Sequence, residues 1–379
     1  MAGWAARTAV RGSLAQIRHV VAVPPERAEG LVAEVYRQVE RDFGLLAPPV
    51  ALHSPAPESL AAAWLMLRET LVASGRADRS AKETVASGVS HANSCPYCVD
   101  VHSTMLHGLI EDRDAAAIAE GDLGLVGNLR LRRLAIWARG DAGPATVGAT
   151  AAMPSTGEAS ELIGVAVTFH YLNRMVNIFL GPSPIPERAP SVVRGGLRRL
   201  LGRVVGRTAR QPVAPGAALS LLPAAPLAAD LVWAEPSDHV GAAFARAAAA
   251  IDELGARVVA EPVRDLVTAF VAAWDGAPTG PSRSWVGEVV AVLPPVHRAA
   301  AVLAILTACA SYQVDDGVIG RYREQHPGAE SLLGLTAWAS LVAARRMGAL
   351  LGVPPASAGT GVPPASAGPT GLTGTDPAG

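Results

Sequence analysis

The chain has 379 residues, half of them from the hydrophobic set but only 4% aromatic and 17% charged, with 38 glycines, 30 prolines and three cysteines. At roughly 100–200 residues per domain, that length predicts two or three domains, or one unit used twice with tails; the apolar share excludes wholesale disorder. With 32 basic against 33 acidic residues the formal net charge is -1, too even for a protein whose main task is to coat nucleic acid or an anionic membrane.

Much of the apolar fraction is alanine, in runs such as Ala247–Ala250, which favours packed helices over a sheet of β-branched and aromatic residues. The expected fold is all-α. The first residues, MAGWAARTAVRGSLAQIRHVV, contain no continuous apolar h-region, and the longest apolar candidate, Ala299 to Ala310, is shorter than the ~18 residues of a spanning helix. Three cysteines cannot form a disulfide framework in so long a chain, and two of them lie in one motif, Cys95-Pro96-Tyr97-Cys98. That usage predicts a cytoplasmic protein with a working dithiol.

In chain order, a preamble (1–27) leads to AEGLVAEVYRQVERDFGLL, where Leu31, Val32, Val35, Tyr36 and Val39 recur at helical spacing. A second helix is expected from Glu58 to Ser74. A third starts at Ser80, where Ser80-Ala81-Lys82-Glu83 matches a capping box. Further helices are predicted over Asp114–Glu120, Leu125–Ala138 and Glu158–Leu180. Residues 181–226 turn to Pro, Gly and Arg and read as a linker; within it RGGLRRLLGRVVGRTAR has the pattern of a basic amphipathic helix weakened by three internal glycines. Helical patterning returns over Asp238–Ala273 and Ser284–Leu351. The tail, 352–379, repeats GVPPASAG and has almost nothing to bury, so disorder is expected there. The expected organisation is a helical repeat over 28–180, the linker, and a second repeat over 227–351.

The second repeat is read from an internal echo. A shift of 216 residues lays SHANSCPYCVDVH (90–102) on LTACASYQVDDGV (306–318), pairing Cys95 with Ser311, Cys98 with Val314 and His102 with Val318. Further on, LAIWARG (134–140) resembles LTAWASL (335–341) at a different offset. The second unit is thus a degenerate copy without thiols.

The chemistry concentrates at CPYC. An N-cap at Asn93 or Ser94 would place both cysteines in the first turn of a helix, where free amides and the positive end of the helix dipole favour a thiolate. Pro96 is tolerated there because its missing N–H would have had no helical partner. A low-pKa dithiol is therefore expected. His102 lies one turn beyond Cys98 on the same face, able to take the thiol proton. Glu83 sits on the preceding helix, either as the last residue of the capping box or, if the turn is tight, as the group that orients His102.

Glu83, Cys95, Cys98 and His102 stand at the spacing of Glu, eleven residues, Cys-x-x-Cys, three residues, His. In this the chain resembles the redox branch of the alkyl hydroperoxidase D and carboxymuconolactone decarboxylase-like family over roughly residues 35–140. The resemblance implies an all-α, homo-oligomeric, thiol-dependent peroxidase or disulfide oxidoreductase of the peroxiredoxin-like kind. It implies that Cys98 becomes the sulfenic acid, and that Cys95 is the proton donor and resolving thiol. Some members carry a histidine between the cysteines where this chain has Tyr97, which leaves His91 or His107 as substitutes. No flavin, haem or metal is required. The reductant would be an external dithiol, a lipoyl group or a thioredoxin-like protein.

Alternatives stay open beside this one. Cys95, Cys98 and His102 supply three zinc ligands, with His91, His107 or His170 as a fourth, although structural zinc sites usually pair two such knuckles. Decarboxylase chemistry of the family does not depend on a CxxC. A non-enzymatic, redox-regulated scaffold would use the second repeat and the basic linker as surfaces. Cys309 reads as a buried small apolar residue. The knot His170, Tyr171, Asn173 and Arg174 reads as interface packing, and Tyr312, Gln313, Asp315 and Asp316 as a solvated helix start.

Overall fold

The structure is a computed structural model that describes residues 14–140, 156–183 and 211–352. Among the described residues every regular element is helical. Helix α1 (Gly30–Phe43) buries the predicted stripe of Val32, Val35, Tyr36 and Val39 and stops at Gly44, whose φ of 91° makes a left-handed cap. Helix α2 (Pro57–Leu67) runs on into a wide turn, Arg68–Val72, with π-type bonding. There follow α3 (Arg79–Ala92), α4 (Pro96–His107), α5 (Asp112–Glu120), α6 (Leu129–Arg139) and α7 (Thr156–Phe179).

The later pattern is more broken than its periodicity predicts. The stretch 238–273 divides into α8 (Asp238–Val258) and α9 (Glu261–Ala273), because Pro262 pushes the residues before it toward extended backbone. The stretch 284–351 divides into α10 (Trp285–Val290), α11 (Pro295–Ala310), α12 (Asp316–Arg323) and α13 (Ala329–Gly352). Pro294-Pro295 and Pro327 account for two of those breaks.

The two copies are visible in the packing. The 216-residue shift lays α3 on the first fourteen residues of α11 (79 + 216 = 295). Helix α3 packs on α4 and α7, and α11 packs on α12 and α13; α2 lies against α8, and α7 against α13. The second copy has no counterpart of α5 and α6, since only five residues separate α12 from α13. The echo of LAIWARG in LTAWASL falls on α6 and α13, yet the helix that shares α13's place is α7, like it 24 residues long.

Part of the expected linker is docked. The Ser74 amide donates to the Val213 carbonyl at 2.9 Å and the Val213 amide to Ser74 Oγ at 3.0 Å. Buried Glu69 accepts from the Gly216 amide at 2.6 Å, and Arg68 donates to the Ala214 carbonyl at 3.1 Å. Residues 211–226 therefore cover the wide turn. Residues 184–210 with the basic stretch, residues 1–13 of the preamble, and the tail from 353 lie outside the described residues. Pro295–Gln313 meets the length and hydropathy of a membrane span, longer than the predicted apolar run, but 61% of it is buried in the fold, as befits a core helix.

The main contact between copies depends on close helix approach. A Cβ built on Gly348 of α13 would lie 2.6 Å from Val167 Cγ2 of α7 and 3.1 Å from the Trp233 indole nitrogen. Gly348→Val is expected to force α7 and α13 apart and to cost ~1–3 kcal/mol, the usual range for overpacking. The lowered midpoint of urea unfolding measures it.

Candidate active site

Helices α3 and α4 are joined by a reversal of three residues. Asn93 caps the C-terminus of α3, Ser94 takes a left-handed φ of 50°, and Cys95 is the N-cap of α4 with Pro96 at its first position. A non-glycine residue at positive φ is uncommon, and such backbone clusters at functional sites. The N-cap thus lies one to two residues later than predicted, which leaves Cys98 as the only cysteine inside the first turn. The turn is closed by the Cys95 amide donating to the Ser90 carbonyl at 2.9 Å.

The start of α3 also differs from its prediction. Asp78 is the N-cap, its Oδ1 accepting from the Ala81 amide at 2.9 Å, and Ser80 is itself bonded to Asp78. No capping box engages Glu83. Its fully buried carboxylate instead accepts from His102 Nδ1 at 2.6 Å and from Arg79 Nε at 2.7 Å. Burial by itself would raise the Glu83 pKa, but the charges of Arg79 and His102 and their hydrogen bonds hold it below its ordinary value. The ionised carboxylate demands a proton on Nδ1, so a neutral His102 presents the lone pair of Nε2. The ring is braced by Phe169 of α7, edge to face at 4.4 Å.

The thiols are buried and reduced, Cys95 1% and Cys98 4% exposed. Burial pushes the Cys98 thiol well up, as does its hydrogen bond with Cys95, while a hydrogen bond from Asn173 pulls it down. The expectation of a low-pKa dithiol is corrected: the helix start is present, but desolvation outweighs it for Cys98. Its thiolate therefore needs a base to form.

A cavity of about 270 Å³ opens beside this cluster. Cys98 and His102 line it and Cys95 does not. Its other walls are largely apolar: Phe43, Leu45, Leu67, Leu71, Met105, Phe169 and Leu172, with Gln16 from the preamble and Tyr97. Leu71 reaches it from the π-type turn, a bulge often found at functional sites. Burial raises the Tyr97 phenol well above its ordinary range, so the residue between the cysteines is a neutral phenol.

Behind the thiols, α7 supplies a polar face that sequence reading placed as interface packing. Asn173, fully buried, donates to Ser90 Oγ at 3.2 Å and accepts from Asn93 Nδ2 at 3.0 Å. Arg174 donates to Asn93 Oδ1 at 3.2 Å and to the Ala308 carbonyl of the second copy at 2.8 Å. Asn177 bridges the Asn93 carbonyl and Ser311 Oγ, both at 3.0 Å. The face both flanks the thiols and joins the copies; the unusual density of polar residues on an apolar helix was its only sequence signal.

The other candidates lie elsewhere. His91 contacts the Ile118 carbonyl at 3.1 Å, and His107 pairs with Asp112 at 3.1 Å, so neither lines the cavity. Cys309 is buried. Asp315 caps α12 and Asp316 is exposed, while Tyr312 and Gln313 both donate to the Gly280 carbonyl. Among the described residues no group of three or more His, Cys, Asp or Glu is arranged to hold a metal ion.

Comparison with known proteins agrees with this architecture. Residues 58–139, which contain the whole Glu83–Cys95–Cys98–His102 set, match the carboxymuconolactone decarboxylase family. A Mycobacterium tuberculosis protein named alkyl hydroperoxide reductase is 37% identical over 338 residues, an alignment covering 89% of this chain and 95% of that protein. The chain therefore belongs to the alkyl hydroperoxidase D-like proteins of the carboxymuconolactone decarboxylase family, with the unit present in two copies.

The depressed pKa of Glu83 has a consequence for stability. Because it lies below the ordinary value of 4.5, the ionised carboxylate stabilises the fold fully above that value, and the contribution is lost as pH falls through the folded pKa. Glu83→Gln is expected to lower stability by ~1.5–3 kcal/mol at neutral pH, the scale of hydrogen bonds to a charged group. Denaturant melts from pH 7 downward should show the gap from wild type narrowing in acid.

Proposed function

We propose that the protein is a CxxC-dependent peroxidase that reduces an organic hydroperoxide at Cys98. The observation that carries this reading is that Cys98 and His102 face the apolar cavity while Cys95 stands behind them. His102 Nε2, made basic by the Glu83 carboxylate on Nδ1, takes the Cys98 proton directly or through a water. The thiolate attacks the terminal oxygen of ROOH. The O–O bond breaks, Cys95 gives its proton to the leaving oxygen, and ROH departs, leaving Cys98 as sulfenic acid and Cys95 as thiolate. The Cys95 thiolate then attacks the Cys98 sulfur; the hydroxyl leaves as water with the proton held by His102, and a disulfide remains. One hydroperoxide and two thiols have become an alcohol, a water and a disulfide.

The cycle closes when an external dithiol, a lipoyl group or a thioredoxin-like protein, exchanges with the disulfide and leaves oxidised. The chemistry is carried by side chains alone, and the name of the 37% identical relative supports the same class of substrate. The apolar walls favour a hydroperoxide with a hydrocarbon body over hydrogen peroxide, since an apolar group gains by leaving water there.

Stoichiometric cumene hydroperoxide should remove two thiols per chain, restored by dihydrolipoamide. Cys98→Ser should abolish the loss, Cys95→Ser should stop at a dimedone-reactive sulfenic acid, and His102→Gln should slow oxidation by ~10²–10⁴, the range of general acid–base catalysis. Unchanged thiols in the wild type would refute the proposal.

A further inference from the structure

Arg174 is a buried cation without a carboxylate partner. It is 4% exposed, and among the described residues no aspartate or glutamate bears on its charge. Its guanidinium donates to the carbonyls of Ala308 (2.8 Å) and His170 (2.6 Å), with the Trp274 ring 5.9 Å away. Ala308 lies in the last turn of α11 and Asn93 caps the end of α3, so two negative helix ends partly offset the charge.

The hydrogen bonds leading away from Arg174 all run in one direction. Asn93 Oδ1 accepts from Arg174, which leaves the Asn93 amide nitrogen to donate to Asn173 Oδ1 and to His170 Nδ1, both at 3.0 Å. With its oxygen occupied, the Asn173 amide turns its nitrogen to Ser90 Oγ and to Cys98. Ser90 cannot reverse this order, because its hydroxyl proton is given to the Ala86 carbonyl at 2.6 Å. The chain Arg174, Asn93, Asn173, Cys98 thus starts at a cation and ends at a sulfur.

We propose that Asn173 is a catalytic donor to the Cys98 sulfur, and that Arg174 and Asn93 are positioning residues that orient and polarise it, so that the relay holds the negative charge of the thiolate. Hydrogen bonds in series strengthen one another where water is excluded, and a bond to an ionised acceptor is stronger than a neutral one. The other groups around Cys98 are His102 with Glu83 and Arg79 behind it, Cys95 in the turn, Tyr97 and Asp100 on α4, and His170 on α7. Burial and the Arg174 charge keep His170 neutral, so from α7 the positive charge reaches the sulfur through the two amides. The proposal rests on the reading of Cys98 as the reacting sulfur.

The test needs no peroxide, and so fails or succeeds apart from the peroxidase reading. In the full chain, Cys95→Ser with Cys309→Ser leaves Cys98 as the single thiol, and its thiolate absorbance is followed against pH. In that background Asn173→Ala removes the donor. Asn93→Asp keeps the side-chain shape and gives Arg174 a carboxylate partner, but has no proton to offer Asn173 Oδ1. Each is expected to raise the ionisation midpoint by about one pH unit or more, roughly tenfold less thiolate at a given pH. A merely structural role predicts an unmoved midpoint in both, with unchanged or higher thermal stability for Asn93→Asp. An unmoved midpoint in folded Asn173→Ala overturns the donor role; a shift there with none in Asn93→Asp overturns the relay. If circular dichroism shows Asn173→Ala unfolded, the isosteric Asn173→Asp is read in its place, by the same criterion.

Discussion

The site depends on one hydrogen bond, from His102 to Glu83 at 2.6 Å, made across a reversal of three residues between α3 and α4. A carboxylate and an imidazole nineteen positions apart meet only if the second helix folds back along the first. The left-handed Ser94 and the Cys95 N-cap achieve this. The same reversal separates the sulfurs: Cys95 stays at the hinge, while Cys98, three residues on, reaches the cavity wall. One local geometry therefore sets the imidazole tautomer, the direction of its free nitrogen and the order of the thiols.

Burial shapes the rest. A dry site makes a thiolate hard to form, and it also makes every compensating dipole more effective. The structure meets the first effect with the second: Arg79 and His102 hold Glu83 ionised, and Asn173 bonds the sulfur from the opposite side. Transfer of the Cys98 proton to His102 then creates a charge pair with a carboxylate already behind the ring. Little solvent has to rearrange when charge moves over so short a path within fixed partners.

The helical fold was legible in the sequence because alanine content and periodicity are local properties, and the four-residue set was legible because its spacing is a local pattern. The boundaries were less so. Asp78 and Ser80 both have side chains suited to capping, and the choice of Asp78 follows from its contact with Arg130 of α6 at 2.7 Å, 52 residues away. The direction of the Cys98 pKa was misread because a helix start is visible in sequence and burial is not. Asn173, Arg174 and Asn177 meet the turn across about 80 residues, a distance over which no spacing rule operates. The match of α7 with α13 was hidden because the counterparts of α5 and α6 are absent and a short word resemblance pointed to α6.

The degenerate copy is physically consistent in what it has lost. Under the 216-residue shift, Glu83, Cys95, Cys98 and His102 correspond to Ala299, Ser311, Val314 and Val318. None of these ionises. An imidazole at buried Val318 without its carboxylate, or the carboxylate without its imidazole, would leave an unpaired polar group against apolar neighbours, which is more destabilising than losing both. Such a set is kept or lost together. What the second copy retains is the wall: the Ala308 carbonyl receives Arg174 and Ser311 receives Asn177, so the position matching Cys95 in the inactive copy now helps to hold the turn that carries Cys95 in the other.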